Sequence, residues 1–261
     1  MSQIHPSAVI EEGATIGEGC EIGPFCVIGA EVVLGQRVVL KSHVVIAGQT
    51  EVGEDSVVFS FAVLGEVPQD LKFKGEQSRT VIGKRNRIRE HVTVNAGTDG
   101  GGGVTQIGDD GLFMAGCHIA HDAQIGDRVI VVNSAAVAGH CVLEDDVIIG
   151  GLSGIHQWVR IGKGAIIGAV TMVTNDVIPY GLVQAPRGDL DGLNLVGLKR
   201  RGVTRSDITA LRAAFQMLAQ GEGTFQERAR RLGAESDSEY VQEIVAFITG
   251  DSDRSFLTPG R

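Results

Sequence analysis

The sequence predicts an all-β solenoid, a parallel β-helix of hexapeptide repeats, followed by a C-terminal α-helical domain. An apolar residue recurs at every sixth position from Ile4 to Leu64, and again from Ile82 to Val94 and from Ile107 to Val173. This makes 26 positions, and glycine directly follows many of them. After Pro179 the apolar residues change to the spacing of an α-helix.

A period of six excludes an α-helix as the source of this pattern, because the apolar face of a helix repeats every 3.6 residues. Each hexad instead forms a short strand and a turn, as in other β-helix repeats. The apolar residue points inward, glycine allows the tight corner, and a small residue such as Ala8 or Cys20 fills the remaining interior. Three hexads make a coil of roughly 18 residues, and coils stack at about 4.8 Å. Residues 18 apart are therefore predicted to lie on top of one another.

The hexad phase fails twice, and both interruptions predict loops. Residues 66–81 are polar and contain Pro68, and residues 95–106 are rich in glycine. Long loops on a rigid scaffold are often functional. We therefore expect a β-helix domain at 1–186 that carries two functional loops.

The remaining residues, 187–261, are expected to form a helical domain. Apolar residues at helical spacing predict helices near 205–219, 224–232 and 237–249. A threonine or serine three residues before an acidic residue is typical of a helix start. Such pairs are Thr204–Asp207, Thr224–Glu227 and Ser236–Glu239.

Composition excludes several classes of function. The formal net charge of −9 argues against general nucleic-acid binding. No signal peptide or transmembrane segment is apparent, so a cytoplasmic protein without membrane insertion is expected. The four cysteines form no C-x-x-C pair, which favours reduced thiols in the core.

One stretch of the repeat, HIAHDAQIG at 118–126, is unusually polar. Ile119 is an inward position, so His121 and Asp122 are expected at the outer corner of the coil, exposed to solvent. Eighteen residues later come Gly139 and His140. His118 precedes this group, and His156 and Gln157 follow one coil further on, so the stacking rule predicts a column of polar groups along one edge.

This column has several chemical interpretations. A histidine beside a carboxylate suits a general base, and the unobstructed N–H of Gly139 suits an oxyanion site, which together favour acyl transfer. Zinc catalysis at a trimer interface is an alternative, although it needs three converging imidazoles. A non-catalytic scaffold is the third. Asp122, Gln157 and the two loops favour a site for a large polar substrate.

Several stretches together resemble one family, the UDP-N-acetylglucosamine O-acyltransferases of lipid A synthesis. They include GEVPQDLKFKGE, IGKRNRIREHVTV, HIAHD, GGLSGIHQ and NLVGLKRRG, and they span nearly the whole chain. A related family of N-acyltransferases that act on amino-sugar nucleotides shares the β-helix. That family typically carries an extra N-terminal domain, which we do not expect here.

The resemblance implies a homotrimer of left-handed β-helices with active sites between subunits. It implies transfer of a 3-hydroxyacyl group from acyl carrier protein to the 3-position of UDP-N-acetylglucosamine, without a metal or cofactor. His121 matches the general base, Asp122 the residue that orients it, and Gly139 the oxyanion N–H.

The resemblance also implies substrate contacts. Matches to sugar or acyl contacts are Gln69, Asp70, Lys72, His118, His140 and Gln157, with His156 beside them, and matches to nucleotide and diphosphate contacts are Asn194, Arg200 and Arg201. Asn95-Ala96 stands where the family usually has His-Arg, and Val196 where it has glutamate. Asn95 faces the sugar in the family pattern, so an acceptor with an amine in place of the 3-hydroxyl stays open.

One further feature concerns the length of the acyl donor. Ala169 lies eight hexads after His121, which places it on a different edge of its own prism, about 13 Å along the axis at ~4.8 Å per coil. We expect it to end the acyl groove about ten carbons from the reacting carbonyl.

A basic cluster is expected to contact the diphosphate and an acidic carrier protein. Its members are Lys199, Arg200, Arg201, Arg205 and Arg212.

Overall fold

The computed structural model describes residues 1–184, 189–252 and 255–258. The described chain is a left-handed parallel β-helix in the form of a three-sided prism, with helices at its C-terminal end. The predicted fold class is confirmed. The expected boundary between residues 186 and 187 lies outside the described residues.

Face 1 of the prism has eleven strands. They are β1 (Gln3–Ile4), β4 (Glu21–Ile22), β7 (Val39–Leu40), β10 (Val57–Val58), β13 (Arg87–Ile88), β16 (Leu112–Phe113), β19 (Ile130–Val131), β22 (Ile148–Ile149), β25 (Ile166–Ile167), β27 (Gly181–Gln184) and β28 (Asp189–Leu193). β28 pairs antiparallel with β27, so this face continues into residues that were expected in the helical domain.

Face 2 has nine strands, all parallel. They are β2 (Val9–Ile10), β5 (Val27–Ile28), β8 (Val45–Ile46), β11 (Val63–Glu66), β14 (Thr93–Asn95), β17 (His118–Ile119), β20 (Ala136–Val137), β23 (Gly154–Ile155) and β26 (Met172–Val173).

Face 3 has eight strands. They are β3 (Thr15–Ile16), β6 (Val33–Leu34), β9 (Gln49–Val52), β12 (Arg79–Ile82), β15 (Val104–Ile107), β18 (Gln124–Ile125), β21 (Val142–Leu143) and β24 (Arg160–Ile161). The chain visits faces 1, 2 and 3 in turn, so the prism has an edge 1–2, an edge 2–3 and an edge 3–1.

The register follows the predicted stacking. Ile119 pairs with Val137, and Val137 pairs with Ile155, each 18 residues on. Inward residues such as Ile119 are buried, whereas Ile4 is 47% exposed because no coil lies below the first one. The four cysteines are buried and form no disulfide bond within the described residues.

Both predicted loops leave the prism at edge 2–3. The first runs between β11 and β12, at residues 67–78, and the second between β14 and β15, at residues 96–103. Both are shorter than predicted because their ends extend the neighbouring strands. The second loop contains a short 3-10 turn, Asp99–Gly101.

Four helices follow the prism. They are α1 (Leu195–Arg200), α2 (Arg205–Gln220), α3 (Phe225–Glu235) and α4 (Glu239–Thr249). α2 to α4 confirm the three predicted helices, and α1 was not predicted. Thr224 and Glu227 form the expected capping box. The predicted cap Ser236 is wrong, because Ser238 precedes α4 and Ser236 instead ends α3.

A buried carboxylate joins the helical end to the prism. Asp176 accepts hydrogen bonds from Arg160 Nε at 2.8 Å and from Ser252 Oγ at 2.7 Å. The Arg160 guanidinium also lies over the ring of Phe247 in α4. The chain after α4 is thereby held against the last coils. Within the described residues, no helix is long and apolar enough to cross a bilayer.

Candidate functional site

His121 and Asp122 lie at edge 2–3, directly after β17. The expectation that they are exposed is wrong, since His121 is 5% and Asp122 is 3% exposed. The loop 96–103 covers them: Gly101 packs so closely on the Asp122 carboxylate that any Cβ there would collide with it. The hexad pattern places a residue at a corner but does not say whether a loop from a preceding coil folds over it.

The Asp122 carboxylate is held by three donors. His121 Nδ1 lies 2.8 Å from Oδ2, and Thr98 donates from its backbone N to Oδ1 at 2.8 Å and from Oγ1 to Oδ2 at 2.6 Å. An ionised carboxylate only accepts, so this contact places a proton on His121 Nδ1, and in the neutral imidazole the lone pair is then on Nε2. These bonds compensate for the burial of the charge.

Gly139 lies directly above the His121 imidazole, as the stacking predicts. A Cβ at Gly139 would lie 2.5 Å from His121 Cε1 and 2.7 Å from Nε2. Only glycine leaves room for the ring. Within the described part of the chain, the N–H of Gly139 donates to no protein acceptor, whereas its carbonyl accepts from Trp158 N.

His140 lies between the buried pair and an exposed tryptophan. Its ring meets the ring of His121 edge-on at 4.9 Å and stacks on Trp158 at 3.8 Å. Its Nδ1 lies 3.7 Å from Asp122 Oδ2. Burial lowers the pKa of the His140 imidazole, and the charge of Asp122 only partly opposes this.

His118 is a second neutral imidazole next to the pair. Its Nδ1 lies 2.8 Å from Thr93 Oγ1, on the neighbouring strand β14. Burial lowers the pKa of His118, and the nearby His121 lowers it further. Both His118 and His140 can therefore offer neutral ring nitrogens to a polar ligand at neutral pH.

A cavity of about 600 Å³ opens beside the buried pair. The loop 67–78 contributes Asp70, Lys72 and Phe73 to its wall, and the other side is formed by Thr98, His140 and Trp158 among others. Gln69, on the same loop, is exposed. The structure thus brings together the predicted groups of loop 67–78 and of edge 2–3.

Four predicted site residues lie on other edges of the same prism. Ala169 is exposed at edge 1–2, between β25 and β26. Asn194 is buried near edge 3–1, where its Nδ2 donates to Gly164 O and its Oδ1 caps α1. Arg200 and Arg201 are exposed at the end of α1. One copy of the chain does not bring these residues to His121.

His156 and Gln157 stand at edge 2–3, one coil beyond Gly139. Both side chains are exposed, and His156 Nδ1 lies 3.1 Å from Gln157 O. The column of polar groups predicted along this edge is therefore present.

His121, Asp122 and His140 have ligand atoms within 4.8 Å of one another, a spacing that a metal ion could use. However, Asp122 Oδ2 already receives His121 Nδ1 and Thr98 Oγ1, so both of its in-plane lone pairs are occupied. His121 Nδ1 is itself the donor in this pair. The geometry suits a proton-transfer pair better than a metal site.

Two residues of this region were missed from the sequence. Thr98 binds Asp122, and Trp158 stacks on His140. Asn95 was expected to face the substrate sugar, but it is buried and donates from Nδ2 to Val67 O at 3.0 Å, which ties the start of loop 67–78 to β14. The only sequence signal for Thr98 was its place in a glycine-rich loop.

Comparison with known proteins identifies relatives of this chain. The family described as UDP N-acetylglucosamine O-acyltransferase, domain 2, matches residues 176–257, and the family described as GMPPB C-terminal domain matches residues 4–98. An acyl-[acyl-carrier-protein]–UDP-N-acetylglucosamine O-acyltransferase of Paracoccus denitrificans is 71% identical over 204 residues, which are 78% of this chain and 77% of that protein. Its counterpart in Agrobacterium fabrum is 42% identical over 262 residues, covering 100% of this chain and 97% of that protein.

The chain belongs to the UDP-N-acetylglucosamine O-acyltransferase family. A solved UDP-N-acetylglucosamine acyltransferase from Campylobacter jejuni superposes with a TM-score of 0.93 at 39% identity, over 98% of this chain and 99% of that one. The family resemblance read from the motifs is thereby confirmed, and this acyltransferase chain is an enzyme.

Proposed function

We propose that this acyltransferase transfers a 3-hydroxyacyl group from acyl carrier protein to the 3-hydroxyl of UDP-N-acetylglucosamine, the first step of lipid A synthesis. The observation that carries the proposal is the buried His121–Asp122 pair under Gly139, in a chain whose relatives are named for this reaction. Two alternatives are an N-acyltransferase that acts on an amino-sugar nucleotide and a trimeric zinc enzyme of the carbonic-anhydrase type.

The reaction follows from the orientation of the imidazole. His121 Nε2 takes the proton of the sugar 3-hydroxyl while the oxygen attacks the thioester carbonyl. The N–H of Gly139 stabilises the oxyanion that forms on the carbonyl oxygen. When the C–S bond breaks, the leaving thiolate of the carrier takes the proton from the imidazolium and departs as the thiol. Asp122 holds the tautomer of His121 and stabilises the imidazolium that forms. A general base such as His121 contributes about 10²–10⁴-fold in rate.

The surrounding groups suit a polar acceptor. Burial lowers the pKa of the imidazoles of His118 and His140, so both can bind hydroxyl groups in the neutral form. On loop 67–78, Asp70 and Lys72 line the cavity, and Gln69 precedes them in the chain. His156 and Gln157 extend this surface along the edge toward the acyl group. The thioester is already activated, so the reaction needs no metal or cofactor.

A trimer would complete the site. Faces 1 and 2 meet at edge 1–2, where large apolar side chains are exposed, and exposed apolar patches of this kind mark protein interfaces. They are Phe25, Phe61, Leu152 and Val170. Edge 3–1 carries charged side chains instead. We therefore place edge 1–2 of three copies around a threefold axis.

In this homotrimer, face 2 of one copy lies opposite face 1 of the next, which is a heterologous interface. Edge 2–3, with His121, then approaches edge 3–1 of the neighbour, where Asn194, Arg200 and Arg201 can reach the nucleotide. Ala169, at edge 1–2, lies toward the axis, where an acyl chain that runs inward along the cleft would end. The three edges that one copy keeps apart thus form one cleft.

The basic cluster at α1 and α2 suits two anionic partners. Lys199, Arg200 and Arg201 are exposed at the end of α1, and Arg205 and Arg212 are exposed on α2. Arginine binds phosphate through paired N–H groups, and a basic patch attracts an acidic carrier protein. We assign the arginines of α1 to the diphosphate and the rest of the cluster to the carrier.

The test is mass spectrometry of the products formed by the purified chain. UDP-N-acetylglucosamine and its 3-amino analogue are each offered with 3-hydroxyacyl carrier proteins of ten to sixteen carbons, with and without a chelator. The proposal predicts an ester of UDP-N-acetylglucosamine in both conditions. Product from the amino analogue alone would favour the N-acyltransferase. Activity that is lost to the chelator and restored by zinc would favour the zinc enzyme.

Ala169 gives the length prediction its own test. Replacing Ala169 with Met is expected to shift the preferred donor to shorter chains, and replacing it with Gly to longer ones. An unchanged preference in both variants would show that the groove ends elsewhere.

A further inference from the structure

Thr98 lies on the loop 96–103 and touches the catalytic pair from outside it. Its side chain and that of Asp122 are both nine-tenths or more buried. Thr98 reaches both carboxylate oxygens, with its backbone N on Oδ1 and its hydroxyl on Oδ2. No other residue in the described part of the chain donates hydrogen bonds to both oxygens of this carboxylate.

The loop is built to hold Thr98 in this place. The carbonyl of Thr98 accepts from Gly101 N at 3.0 Å and from Gly103 N at 2.8 Å, which closes a tight turn over Asp122. Gly102 and Gly103 have φ of 93° and 77°, a conformation that disfavours other residues. Gly101 packs on the carboxylate itself. The glycines thus let the loop cover Asp122 and present the Thr98 hydroxyl to it.

The Asp122 carboxylate needs a hydrogen-bond partner such as Thr98, because the side-chain torsion of aspartate does not fix the plane of the carboxylate. The χ2 angle of aspartate is broad, so the plane of the carboxylate is set by its hydrogen bonds. Oδ2 has to lie in line with His121 Nδ1 to hold the imidazole in the tautomer that leaves Nε2 unprotonated. Thr98 Oγ1 shares this oxygen, at 2.6 Å, and so sets its direction.

We propose that Thr98 is a positioning residue of the acyl-transfer reaction, which acts on His121 through the plane of the Asp122 carboxylate. The inference rests on the proposed function. Thr98 touches no reacting atom in this role, so its loss should lower turnover and leave substrate binding intact.

The chain offers a matched control. Thr80 is a fully buried threonine on β12, paired with Thr105 of β15, and its hydroxyl has no hydrogen-bond partner in the described structure. Thr80→Ala therefore removes a buried hydroxyl and methyl near the same loops without touching the catalytic pair. Thr98→Ser keeps the hydroxyl at the position under test.

The variants Thr98→Ala, Thr98→Ser and Thr80→Ala are assayed with UDP-N-acetylglucosamine and a 3-hydroxyacyl carrier protein. For Thr98→Ala we expect kcat to fall about 10–100-fold, the loss typical of a hydrogen bond to a charged group, with KM within about twofold. Thr98→Ser should return kcat to within about threefold of wild type, and Thr80→Ala should match wild type. If Thr98→Ala lowers the melting temperature more than Thr80→Ala does, Thr98→Val, which keeps the branched side chain, repeats the test.

Three outcomes would overturn the inference. One is a wild-type kcat in Thr98→Ala, or in Thr98→Val where that variant repeats the test. Another is a loss that appears entirely in KM, and the third is a loss that Thr98→Ser does not restore. A wild-type chain that forms no product at all would instead refute the proposed function, and the inference with it.

Discussion

Two edges of this prism share the same backbone conformation but carry side chains with different roles. Edge 3–1 carries a column of alternating arginines and aspartates with φ between 55° and 61°. The column is Arg37, Asp55, Arg85, Asp110, Arg128 and Asp146, and its members pair across coils. At edge 2–3, Asp122 and His140 have φ of 60° and 61°. The corner geometry is therefore the same.

Burial is what separates the two edges. The side chain of Arg128 is 48% exposed, whereas that of Asp122 is 1% exposed. An exposed ion pair contributes about 0–1 kcal/mol, but a buried carboxylate has to be fully hydrogen-bonded. The loop 96–103 supplies that burial and, through Thr98, two of those bonds. The hexapeptide repeat forms the corners of the prism. The cover by a loop turns the corner at His121 and Asp122 into a candidate functional site.

The largest difference between the edges should appear in turnover. His121→Ala is expected to lower kcat by about 10²–10⁴-fold because the base is lost. Arg128→Ala, on the other edge, should leave kcat within about twofold. Steady-state assays with both substrates saturating provide the comparison, and near-normal turnover by His121→Ala would remove the assignment.

A methyl group at Gly139 should also separate catalysis from folding. Gly139→Ala forces the new Cβ against the His121 ring, so kcat should fall about 10²-fold, the typical loss of an oxyanion contact or a displaced base. Gly192 has nothing within 4 Å of its Cβ position, so Gly192→Ala is the control. Equal activity of the two variants would show that the space above His121 is not used.

The two edges are expected to meet in the trimer, which mixed assemblies can test. Subunits with His121→Ala and subunits with Arg201→Ala are refolded together and assayed below KM. If each cleft takes His121 from one subunit and Arg201 from the next, about a quarter of the clefts in a random mixture regain both residues. Activity near a quarter of wild type is expected. Activity no higher than that of the separate variants would place both residues in the same subunit's site.

The smallest expected effect concerns stability and pH. The pKa of His118 is lowered in the folded state, while the unfolded chain has the usual value of about 6.5. As the pH falls below that value, the unfolded state binds a proton that the folded state does not, so the free energy of unfolding falls. His118→Gln should reduce this fall between pH 7.5 and 5.5 in urea titrations. His5→Gln, at an exposed site, is the control that should leave it unchanged.

The register of the strands between coils could be predicted from the sequence, but the burial of His121 and Asp122 could not. Pairing of Ile119 with Val137 follows from counting hexads, and it places Gly139 over His121 without a structure. The cover over Asp122 depends on a loop whose path is set by glycine φ angles and by one hydroxyl, and no periodicity encodes these. Position along the prism matters too, since Ile4 has the inward phase but no coil beneath it.

The C-terminal helices also include one element, α1, that the sequence pattern could not predict. α2 to α4 are long enough for helical spacing to appear in the sequence. α1 has six residues and contains Gly197, so it offers fewer than two turns of pattern. Its start depends on Asn194, which caps the helix and binds Gly164 O on the prism. A tertiary contact of that kind is visible only in the fold.

Loop 96–103 and Asp122 are expected to hold His121 with its proton on Nδ1 and a lone pair on Nε2. ¹⁵N NMR of histidine-labelled wild-type protein, with His121→Gln to assign the signal, measures this directly at the pH of the activity assay. We predict that His121 is neutral, with Nδ1 protonated and Nε2 unprotonated. A His121 that carries its proton on Nε2, or on both nitrogens, while the protein is fully active would show that His121 is not the general base in this tautomer.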